Sequence, residues 1–157
     1  MVHYSYFMTN FLTPFNKMMW PGIENGEAAS SYWPTTVLNL TDLNDIGAFV
    51  AAAFSDPERF NQATIPVASQ KLVVEDALDQ LRAASGKQIR SVYRSDEESI
   101  KLMDSIPIIK GQLFQRNTTG DKVGIEEVKG WGVRLGTFDE FLSREKAWVD
   151  QTFATVP

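Results

Sequence analysis

Apolar residues recur at helical spacing in four stretches of this chain and gather into short extended runs between them. Ile46, Phe49, Val50, Ala53 and Phe54 fall at i, i+3, i+4, i+7 and i+8, which predicts a helix over Leu43 to Phe54 with one apolar stripe. Asp42 stands where an N-cap belongs, Asp45 lies in the first turn, and Asp56-Pro57 closes the segment. Val74, Ala77, Leu78, Leu81 and Ala84 make a second stripe, with Gly86 placed as its C′ residue. Ser95-Asp96-Glu97-Glu98 reads as a capping box opening a helix that carries Ile100, Met103 and Ile106 inward and is limited by Pro107. Thr137-Phe138-Asp139-Glu140 is another, opening a final helix with Phe138, Phe141, Leu142, Trp148 and Val149 on one face.

The extended runs are Val2 to Met8, Thr36 to Leu40, Thr64 to Ala68 and Gln88 to Tyr93, the third confined to an edge or a strand end by Pro66. Pro14, Pro21, Gly22, Gly26 and Pro34 break up everything to about Thr35 and predict a long loop carrying Trp20, Tyr32 and Trp33. Asn117 to Asp121 reads as a polar turn, and no repeat or low-complexity tract interrupts the pattern. The sum is one α+β domain over residues 1–157, or a partial α/β layer: four short strands and four to six helices without a complete doubly wound sheet.

Composition narrows the partners. With 157 residues, 43% of them hydrophobic, the chain can bury about 68–70% of its unfolded surface in a single core. A net charge of −5 argues against nucleic acid and anionic membrane as partners. Met1 to Met8 lack a cationic leader and a continuous apolar stretch, so no signal peptide is read, and no run of about 18 apolar residues occurs. The absence of cysteine fits a reducing compartment, so a cytoplasmic protein is expected.

Catalytic constellations are thin. His3 is the only histidine, which leaves no second imidazole for a metal site and places any Ser-His-Asp chemistry at the chain's start. The Tyr-x-x-x-Lys proton-donor spacing is absent: Tyr4, Tyr6, Tyr32 and Tyr93 are followed four positions on by Met8, Asn10, Thr36 and Glu97. Acid pairs such as Asp42 with Asp45, Glu97 with Glu98 and Glu126 with Glu127 suit general acid or base work, but helix capping and solvated faces explain them more simply. No G-x-G-x-x-G turn is present; Gly130, Gly132 and Gly136 lie far downstream among polar residues and read as turn glycines.

Several segments together carry a resemblance: Phe7-Met8-x-Asn10-Phe11 after a strand, Leu43 to Ala51, Asp56-Pro57, Phe60, Gly86-Lys87, and Trp131 to Phe138 followed by Glu140-Phe141-Leu142. In this order and spacing the chain resembles the C-terminal half of the NmrA-like family of atypical short-chain dehydrogenases and reductases. The resemblance implies the C-terminal, substrate-side lobe of a Rossmann-type protein, without the N-terminal half whose Gly-rich turn holds the cofactor pyrophosphate. Family members carry an Arg-Pro pair where His3 and Tyr4 stand. NADP serves the full-length relatives, and no cofactor is expected for this chain alone.

Carried over by position, the resemblance nominates Phe7, Met8, Asn10 and Phe11 as substrate-binding residues, with Trp20 a further candidate. Their chemistry suits an apolar or aromatic small molecule oriented by the Asn10 amide, or a protein partner; the alternative is that Phe7, Met8 and Phe11 are core and Asn10 caps a turn. Three functions stay open: a truncated NmrA-like protein that keeps a substrate- or partner-binding lobe without redox activity; a fragment of an NAD(P)-dependent oxidoreductase or nucleotide-sensing regulator; and a cofactor-independent cyclase or isomerase. An unpaired strand edge would also leave self-association open.

Overall fold

The computed structural model describes residues 6–118 and 124–157. His3 and Tyr4, and the part of the expected polar turn at 119–121, lie outside the described residues. In chain order the elements are β1 (Tyr6–Phe7), α1 (Asn16–Met19), β2 (Glu27–Ser30), β3 (Val37–Thr41), α2 (Leu43–Ser55), α3 (Pro57–Phe60), β4 (Gln70–Val73) and α4 (Val74–Ser85). They continue with β5 (Arg90–Tyr93), α5 (Asp96–Leu102), α6 (Ile108–Thr118), α7 (Ile125–Lys129), α8 (Phe138–Arg144) and α9 (Lys146–Phe153). The architecture is mixed α/β with two small sheets, consistent with the α+β expectation.

β3 is the central strand, with Leu38, Asn39, Leu40 and Thr41 all buried. It pairs in parallel with β1 through Tyr6–Leu40 and Phe7–Thr41, and antiparallel with β4 from Val37–Val73 to Leu40–Gln70. β2 and β5 make a separate parallel pair, Glu27 opposite Arg90 and Ser30 opposite Tyr93. The large core lies between these sheets and the α4, α8 and α9 helices, from Tyr6, Met8 and Phe11 through Leu78 and Leu81 to Phe141 and Phe153. α4 buries Val74, Ala77, Leu78 and Leu81 of its expected stripe, with Ala84 half-buried, and Gly86 ends it at φ +67°, donating its N–H to the Arg82 carbonyl at 2.9 Å.

Both capping boxes form, at Ser95 and at Thr137, because each hydroxyl and each third-position glutamate are close enough in sequence to satisfy the helix's first N–H groups. Elsewhere tertiary contacts override the pattern. The first strand pairs only over Tyr6–Phe7 among the described residues, since Met8 opens a 3₁₀ turn through Phe11. Thr64 to Ala68 is not a strand: its Val67 and the adjoining Ser69 instead hold the β3 end, Thr41 Oγ1 donating to the Val67 carbonyl and Ser69 N–H to that of Leu40. Pairing begins only at Gln70, past Pro66. The expected long loop contains both α1 and β2, and the expected final helix is two, parted at Glu145.

Two helices turn differently from their patterns. On α5, Ile100 is 65% exposed and Ser99 is buried, because the Ser99 hydroxyl donates to Ser31 Oγ at 2.8 Å and that bond faces the helix's polar side inward. On α2 only Phe49 of the stripe is fully buried; Val50 and Phe54 stay 50% and 84% exposed. Phe49 packs in a smaller cluster with Ala68 and Val128, walled by Phe60, Ile65 and Trp131, which is too narrow to cover the whole stripe.

The start of α2 is bolted to the C-terminal segment. Asp45 Oδ2 accepts the Gly136 N–H at 2.9 Å across 91 positions of sequence. A Cβ at Gly136 would meet Asp42 Oδ2 at 3.3 Å, which explains glycine at this crossing. Asp42 caps α2 by accepting the Asn44 N–H at 3.0 Å, and its carboxylate takes both Arg144 nitrogens at 2.8 and 3.1 Å. Asp42→Ala is therefore expected to cost about 1–2 kcal/mol, cap plus ion pair, in urea unfolding. Asp42→Asn keeps the cap and should lose less than half of that; equal losses for the two variants would show that the cap contributes nothing.

Candidate binding groove

The segment nominated from sequence is first of all a wall of packed rings. Met8, Phe11 and Trp20 are fully buried, Asn10 is half-buried, and Phe7, at the sheet edge, is 40% exposed. Phe11 lies 5.4 Å from the Tyr6 ring, 5.3 Å from Trp20 in a stacked arrangement, and 4.7 Å from Phe138, while Trp20 continues to Tyr32 at 5.9 Å. Such tilted and offset pairs add to the area they bury. Burial pushes the Tyr32 hydroxyl above the usual phenol range, and burial followed by the neighbouring Tyr32 does the same to Tyr6. Neither phenol ionises near neutral pH, so these rings offer packing and no base.

This wall positions α1. Ahead of the helix, Trp148 Nε1 donates to the Thr13 carbonyl at 3.0 Å, and the Thr13 N–H donates to Thr152 Oγ1 at 3.2 Å, tying the segment to α9. At its end, Gln112 Nε2 of α6 donates to the Met19 carbonyl at 3.0 Å, while Gln112 Oε1 accepts the buried Ser31 N–H at 2.8 Å. One carboxamide thus sets the separation of α1 from α6. Arg116, a turn further along α6, donates to the Ser31 carbonyl at 3.1 Å, pairs with Asp96 at 2.8 Å and lies 4.5 Å over the Trp33 ring.

Between α1 and the α5–α6 connection runs a groove of about 440 Å³. Lys17, Met18 and Pro21 form one wall; Ser105, Ile106 and Ile108, around Pro107, form the other. Its size falls in the range of small-molecule sites, and its lining is mostly apolar. The five residues named from sequence do not line it; Met8, Phe11 and Trp20 hold the core that supports its α1 wall. The groove residues carried no motif. Their sequence signals were the Pro21 and Pro107 breaks and Ile106 at the end of the α5 stripe; Pro107 turns the chain between α5 and α6, where Ile106 and Ile108 are half-buried.

Among the described residues no group of three or more His, Asp or Glu side chains is placed to hold a metal ion, and no helix is long and apolar enough to cross a membrane. A mixed α/β chain with an apolar groove, whose two most telling sequence motifs meet at the Asp45–Gly136 bond, is thus defined. Residues 1–142 match the NmrA-like family, and the chain belongs to it. No curated protein matches the chain.

Proposed function

We propose that this NmrA-like chain acts as a C-terminal, substrate- or partner-binding lobe that holds an apolar small molecule and transfers no hydride by itself. The observation that carries the reading is the groove between α1 and the α5–α6 connection, whose spacing the Gln112 carboxamide sets. The chain contains no Gly-rich turn ahead of a helix to grip a dinucleotide pyrophosphate. A cysteine-free protein of this composition suits the cytoplasm. Calorimetric titration of the purified chain with NADPH is expected to give no saturable heat. Micromolar binding would overturn the reading.

One feature favours a second reading, a fragment of an NAD(P)-dependent oxidoreductase or nucleotide-sensing regulator. The α2–α3 flank exposes Val50 and Phe54 beside Phe60, and among the described residues β1 pairs with β3 alone. A dinucleotide-binding half resting there would cover apolar surface and extend the sheet. An in-frame Gly-rich segment upstream of the Met1 codon would favour this second reading over the first.

A further inference from the structure

The groove is apolar along most of its length but not electrically neutral. Lys17 is exposed on its α1 wall and makes no ion pair among the described residues. The nearest carboxylate in sequence on the opposite side, Asp104, is already taken by Lys110 at 2.8 Å, which also holds that carboxyl below its usual range. That wall ends at Ile108, the first residue of the eleven-residue α6. Ser105 spends its hydroxyl proton on the Leu102 carbonyl at 3.0 Å and so does not compete as a donor. One ammonium therefore stands on this groove, and Met18, Pro21, Ile106 and Pro107 leave most of the rest apolar.

We infer that the groove takes an amphiphile with a single carboxylate, its apolar chain along Met18, Pro21 and Ile106 and its head group at Lys17. This deepens the proposed function and rests on it. The chemistry is complementary on both counts: apolar area leaves water, and the ammonium gains a partner that no described side chain supplies. A neutral molecule of the same length would use only the first contribution.

The test is calorimetric titration of the full chain with decanoate and with decanol, each below its aggregation limit, for wild type, Lys17→Met and Ile106→Glu. Wild type is expected to bind decanoate about tenfold tighter than decanol. Lys17→Met should abolish that preference, and Ile106→Glu should weaken both ligands at least tenfold. Circular dichroism and unfolding of each variant establish that it is folded; Lys17 is exposed, so its replacement leaves the core untouched. Equal wild-type affinity for the two ligands, or a decanoate preference that survives Lys17→Met, would overturn the carboxylate assignment alone. Binding of neither ligand would overturn the apolar-groove reading with it.

Discussion

Phe11→Ala is expected to lower the unfolding free energy by about 3–5 kcal/mol. Phe11 is fully buried and is the ring on which three others converge: Tyr6 from β1, Trp20 from the end of α1 and Phe138 from α8. Removing it opens a cavity where the N-terminal and C-terminal segments meet. The wall cannot close easily, because α1 is hydrogen-bonded on both sides, to α9 through Thr13 and to α6 through Met19. Urea unfolding followed by tryptophan emission reports it directly, since Trp20 stacks on the deleted ring. A loss below about 1 kcal/mol would mean that the rings collapse freely and that the wall does not support α1.

Gln112→Leu comes next, at about 2–4 kcal/mol. The replacement is nearly isosteric, so it leaves little cavity. It does leave the Ser31 N–H and the Met19 carbonyl without the partner they have in the native protein, and each such buried group costs about 1–3 kcal/mol. Two results distinguish this from ordinary core damage. Unfolding should show the loss, and amide exchange at Ser31 should accelerate out of proportion to the global change, because its N–H bond is broken even in the folded protein. Unchanged exchange at Ser31 would show that water or another group replaces the carboxamide and that the groove's walls are set by something else.

Much of the local structure was legible because its causes are local. Asp42, Ser95 and Thr137 are caps since a short oxygen-bearing side chain reaches an N–H two or three residues on, whatever the rest of the chain does. Gly86 stops α4 for a comparable reason, as the residue that takes a positive φ without strain. The strand at Thr64–Ala68 failed because composition was read without its partner: Gln70–Val73 is less β-like in sequence, yet it is the segment aligned with β3. β2 went unread in the same way, its Glu-Ala-Ala-Ser having little strand character apart from its register with β5.

The chain's own order of residues determined the caps of α2, α5 and α8, the stop of α4 at Gly86, the acidic and cysteine-free composition, and to which family the chain belongs. Only the tertiary structure decided which faces are covered. Ser99 points inward and Ile100 outward because Ser31 waits on the other side, and Phe54 stays in water because the cluster around Phe49 ends short of it. It alone brought Lys17 and Met18 opposite Ser105 and Ile106. An amphipathic stripe states that a surface gains by being covered; whether anything covers it depends on distant segments, and spacing along one helix holds no information about them.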